Sequence, residues 1–202
     1  MTHRSRLLPD VPFRAAALFT ALLLSATPAL AQQNTAATAP ADGLRAELVR
    51  DLEQLEQKYV GLAEAMTDQY QWRPAEDVRS VSEVFMHVAN ANFMIPTMVG
   101  IQPPEALRAG SMQETMAMMQ AREKITDAAE IREALRASFA HARDAIVATP
   151  DAELDDMTKL FGQDATKRRV LTLLVAHLHE HLGQAIAYAR TNGVTPPWSA
   201  GD

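Results

Sequence analysis

The chain has 202 residues, a formal net charge of −6 and no cysteine. No segregated basic patch offsets that acidity, which argues against a nucleic-acid partner. The missing thiols exclude a cysteine nucleophile, a cysteine-ligated zinc and a lipid-modified cysteine after a leader, so any metal must be held by His, Asp, Glu or Met.

The opening segment from Met1 to Ala31, MTHRSRLLPDVPFRAAALFTALLLSATPALA, has the three parts of a secretory signal. Arg4, Arg6 and Arg14 form the positive start, Ala15 to Leu24 the apolar run, and Ala29-Leu30-Ala31 the small-x-small cleavage site. The apolar run falls short of the about 20 residues that span a bilayer. The expectation is cleavage after Ala31 and a periplasmic or secreted protein with no membrane attachment afterwards. Removing the signal takes away Arg4, Arg6 and Arg14 but only one acid, Asp10, so the mature chain is more acidic still. What remains is long enough for one domain with its own core.

Residues 32–43 are rich in Ala, Thr, Gln and Pro and read as a disordered leader, with the domain running from 44 to 198. Leu44, Leu48, Leu52, Leu55, Tyr59, Leu62 and Met66 draw one apolar stripe along a first helix. It stops at Thr67-Asp68, and Tyr70 to Pro74 is expected to be an extended link. Trp72 in that link is a core plug on the structural reading and a pocket wall on the functional one. Ser80 and Glu83 make a capping box that opens a second helix, whose stripe is Val81, Phe85, Val88, Asn92 and Ile95. His87 lies on the flank of that stripe, where a lone imidazole is usually a half-exposed residue with a satisfied ring.

Pro96 ends or kinks this helix, and Met98 to Ala121 reads as a connector. Its cluster of Met112, Met116, Met118 and Met119 is read as adaptable packing on the bundle rather than a soft Cu(I) site. Asp127 and Glu130 form a second capping box before a helix with Ile131, Leu135, Phe139, Ala142 and Ile146 on one face. His141 lies off that face and is expected to be solvated. The acidic stretch from Asp151 to Asp164 reads as a lid or short turn over the bundle end, and Lys167-Arg168-Arg169 is expected to meet it.

The last helix runs from about Thr166 to Arg190, with Asn192-Gly193 as its left-handed stop. Residues four apart on a helix lie one turn above each other, so His177 and His181 converge while His179 projects from nearly the opposite side. Two imidazoles on an apolar face are costly unless hydrogen-bonded or ligating. Four amphipathic helices and no convincing strand give an all-α four-helix bundle, a fold that builds metal sites across its core. In that geometry His87 could meet the pair.

Tyr70-x-Trp72-Arg73-Pro74, then Arg79-Ser80-Val81-x-Glu83-x-x-x-His87, and His177-x-x-x-His181-x-Gly183-Gln184 with Asn192-Gly193-Val194-x-Pro196-Pro197 resemble the DinB-like superfamily of metal-binding four-helix bundles. The resemblance covers about Leu44 to Trp198. It implies a divalent metal held by His87, His177 and His181. Such a three-histidine site has open positions and can acidify water or bind a thiolate or a carboxylate. Zn, Ni and Fe(II) all accept imidazole. The resemblance further implies a thiol-dependent transferase, and metal-bound water makes a metal-dependent hydrolase the other enzymatic reading, in either case with an unidentified small-molecule substrate. The competing reading is a non-catalytic exported metal-binding or stress-response protein. A homodimer is left open.

Overall fold

The computed structural model describes residues 40–199. The signal expected over residues 1–31, and most of the leader expected over 32–43, lie outside the described residues. Among the described residues five α-helices follow in order: α1 Gly43–Ala65, α2 Val81–Met94, α3 Met112–Glu123, α4 Ala128–Ala148 and α5 Lys167–Thr191. An antiparallel hairpin, β1 Met157–Leu160 with β2 Gln163–Thr166, leads directly into α5. No described helix is long and apolar enough to cross a membrane.

The bundle consists of α1, α2, α4 and α5, with α1 and α2 each packing against both α4 and α5. The stripes predicted for these helices are the surfaces that meet. Leu52, Leu55, Tyr59 and Leu62 of α1 are buried with Phe85 and Val88 of α2, Ile131, Leu135 and Phe139 of α4, and Val170, Leu174 and Leu178 of α5. Tyr59 lies at the centre, its ring edge-on to Phe85 at 6.4 Å and 5.6 Å from Phe139. A buried hydroxyl needs a partner. The Tyr59 hydroxyl donates to the Leu178 carbonyl at 2.6 Å, which ties α1 to the turn of α5 between the two histidines.

Both halves of the Ser80–Glu83 capping box are present: Ser80 Oγ accepts from the Glu83 N–H, and Glu83 accepts from the Ser80 N–H at 2.9 Å. Glu83 also accepts from Lys124 at 2.6 Å and pairs with Arg73 at 3.2 Å. Burial alone would raise its carboxyl, but these cations and the Ser80 bond hold it below the usual range. At the other end of the bundle, Lys167 pairs with Glu153 at 2.5 Å and Arg168 with Asp155 at 2.9 Å. The acidic link thus offsets two of the three cations at the positive end of the α5 dipole. Arg169 instead contributes its backbone N–H to the N-cap Thr166.

Several local expectations are corrected. The connector from Met98 to Ala121 contains α3, which Ser111 caps by accepting from the Glu114 N–H. This helix draws no apolar stripe: Met119 is buried, whereas Met112 and Met116 are 75% and 53% exposed. Packing therefore accounts for Met119 but not for the whole cluster. The link after α4 contains the β1–β2 hairpin, turned by Phe161 and Gly162 at φ +48° and +85°. Left-handed conformations at both central residues suit a two-residue hairpin turn. Strands of four residues are too short to announce themselves by alternation.

The Asp127 cap is one-sided, its carboxylate accepting from the N–H groups of Ala129 and Glu130. Tyr70 is helical rather than extended, at φ −56° and ψ −32°, because its buried hydroxyl reaches back to the Ala63 carbonyl. His141 is half-buried instead of solvated: its ring packs 5.4 Å from that of Phe93, and burial lowers its pKa.

Replacing Tyr59 by Phe keeps the aromatic packing and removes only the bond to Leu178, whose carbonyl retains its helical partner. A loss of about 1 kcal/mol in denaturant unfolding is expected. An unchanged midpoint would show that this bond does not contribute.

Candidate metal centre

The histidine on the flank of α2 and the pair on α5 come together across the bundle. One ligand atom from each of His87, His177 and His181 lies within 4.8 Å of the others. Ring centroids are 4.4 Å apart for His177 and His181, 4.7 Å for His87 and His181, and 5.3 Å for His87 and His177. All three are half-buried. His179 is exposed, as its helical phase requires, and Glu180 beside it is exposed too.

The arrangement around the rings decides which nitrogens are free. Glu123, the last residue of α3, stands 3.0 Å from His87 Nδ1. The Oε1 of Gln184 stands 2.8 Å from His181 Nδ1. Both partners are acceptor oxygens, so in each neutral ring Nδ1 carries the proton and Nε2 keeps the lone pair. Burial, and after it the nearby His181, His87 and Arg79, push the His177 imidazole down to about 4. Burial also lowers His181. A neutral imidazole with Nε2 free is the form that binds a divalent ion, so the donor set fits one.

Supports extend outward from two of the three rings. Glu123 also accepts from Arg79, Nε to Oε2 at 3.1 Å, and these hydrogen bonds outweigh burial to keep its carboxyl below the usual range. Gln184 in turn donates to the Tyr188 hydroxyl at 2.9 Å, and Trp72 stands edge-on to the Tyr188 ring at 5.2 Å. Trp72 packs against the core, as its structural reading has it, and also backs Tyr188, which holds the Gln184 that orients His181.

Glu123 depends on the placement of α3, which polar contacts fix against α2. Asn90 donates to the Met119 carbonyl at 3.0 Å and accepts from Arg122 at 2.9 Å. Sequence reasoning missed the roles of Glu123, Arg79, Gln184 and Tyr188. Glu123 has no spacing relation to any histidine, and the helix that brings it to His87 showed no periodicity.

A cleft of about 530 Å³ opens beside the triad. His87, His177, Arg79 and Glu123 lie at its polar end, while Met94, Met98, Met119 and Leu173 supply apolar wall. Such a combination of apolar walls and a few convergent polar groups is the usual form of a small-molecule site.

No curated protein and no solved structure matches the chain significantly. The profile of the DinB superfamily matches residues 51–185, a span that runs from α1 to α5 and includes all three histidines. On that match, which covers well over half of the sequence, the chain belongs to the DinB superfamily.

Proposed function

We propose that this chain is an exported metal-dependent protein in which His87, His177 and His181 hold one divalent ion, and that the open side of the site acts on a small molecule by hydrolysis or thiol-dependent transfer. The carrying observation is a cluster of three imidazoles with no carboxylate in the group, beside a cleft. Structural zinc is normally closed by a fourth protein ligand, whereas catalytic sites keep a position open. When bound, the ion would supply Lewis acidity to an oxygen or sulfur atom entering from the cleft.

The chain's own residues prepare that position. Glu123 and Gln184 hold two rings in register, and burial lowers the pKa of His177 and His181, which favours their neutral, ligating forms. Export rests on the three-part signal between Met1 and Ala31.

A second reading, an exported protein that binds metal without turnover or serves a stress response, draws on the state of the nearest acids. Glu123 is committed to His87 and Arg79, and Glu180 is exposed on the outer face. Neither presents itself as a free general base. Turnover of ester, amide or thiol-adduct substrates by the metal-loaded protein separates the two readings.

Purified mature protein is expected to carry about one divalent ion per chain by elemental analysis. His87→Ala, His177→Ala and His181→Ala should each lose it, and His179→Ala should keep it. Full occupancy in His181→Ala would refute the ligand assignment.

Glu123→Ala should weaken metal affinity by about 10- to 100-fold without loss of helix content, while Glu123→Gln retains more of it because an acceptor oxygen remains. Competition with a chromogenic chelator measures both, and unaltered affinity in the Ala variant would show that Glu123 does not support His87.

Protein recovered after export should begin at Gln32 by intact mass. A chain still beginning at Met1 would contradict cleavage after Ala31.

A further inference from the structure

The cleft beside the histidines gathers Arg79, His87, His177 and Glu123 on one side, and apart from Asn90 and Gln120 the rest of its lining is apolar, an asymmetry that constrains what fits. Its apolar lining includes Met94, Met98, Met119 and Leu173. At the mouth stand Met116 of α3 and Phe161 at the hairpin tip, 53% and 72% exposed. Two large apolar side chains exposed beside the same apolar cleft extend it into a surface patch of the kind that marks ligand sites. The hairpin is held in place: Thr158 donates to the Met98 carbonyl at 2.6 Å, and Leu160 packs against the core.

The polar end has a definite charge. Glu123 is balanced by Arg79, so a divalent ion held by the three histidines would make this end positive overall. Arg79 lines the cleft together with His87 and His177, and Glu123 bridges it to the His87 ring. A guanidinium beside a metal position favours a head group with two oxygens, one for each partner.

From these features we infer that the cleft binds a medium-chain carboxylic acid or its close analogue, with the carboxylate at the metal and Arg79 and the alkyl chain along the methionines, under Phe161 and Met116. This rests on the metal-binding reading above and names the class of molecule that the site admits.

The test uses calorimetry on the protein with and without a loaded divalent ion, with octanoate, acetate and octanol as probes. The metal-loaded protein should bind octanoate at least tenfold more tightly than acetate, with octanol weaker than octanoate by a similar factor. The metal-free protein should lose most of the octanoate affinity. Phe161→Ser and Met116→Ser alter exposed residues and should leave metal content unchanged. Combined, they should weaken octanoate about tenfold and leave acetate unaffected. Arg79→Gln should weaken octanoate and acetate alike. Equal binding of octanoate and acetate, or no effect of the double variant, would overturn the apolar-chain assignment. Octanol binding as tightly as octanoate, or octanoate binding equally with and without metal, would overturn the head-group assignment. A failure to load metal is seen separately by elemental analysis and would remove the reading on which this proposal stands.

Discussion

Imidazoles placed in an apolar helical bundle are costly unless they find partners, and the surroundings of this site follow from how two of its three rings find them. The cost of the polar groups is met by a chain of contacts that runs from the rings outward to Arg79 and back to the core at Tyr188. His87 is answered by Glu123, Glu123 by Arg79, His181 by Gln184, Gln184 by Tyr188, and Tyr188 by the edge of Trp72. Gln184 and Tyr188 follow His181 on α5 itself, whereas Glu123, Arg79 and Trp72 come from other parts of the chain. The site is thus an arrangement of several elements, although its most visible part is a single turn of α5.

The same requirement explains α3. As a segment it buries little, and only Met119 among its residues reaches the core. It is retained against α2 by polar bonds: Asn90 to Met119 and Arg122, Glu83 to Lys124, and Arg79 to Glu123. A helix held in this way is positioned by directional bonds rather than by area, which suits a residue that must present a carboxylate to a particular ring nitrogen.

The legibility of the fold in the sequence divides along this line. Where burial decides structure, the pattern was readable: the stripes of α1, α2, α4 and α5 ended up buried, and the Ser80–Glu83 box formed with both bonds. The pair His177 and His181, and the flank position of His87, followed from helical phase, and the structure places the three together. What was not readable was structure fixed by long-range polar contact. The α3 helix has no stripe, the hairpin has four-residue strands without a clear alternation, and Glu123 has no spacing that would pair it with a residue 36 positions away. His141 failed differently. Its phase put it off the α4 stripe, but Phe93 of α2 covers that flank, so exposure was decided by the neighbouring helix.

Those failures coincide with the surroundings of the cleft. Periodicity arguments assume that apolar side chains turn inward, and an element that keeps apolar groups at a surface breaks the assumption. Met116 and Phe161 do this on two separate elements, and both line the opening beside the histidines. The α3 helix and the hairpin thus have this feature in common, beyond their different reasons for being missed. Their apolar residues are not all spent on the core, and the surface they leave uncovered lies next to the groups most able to bind something.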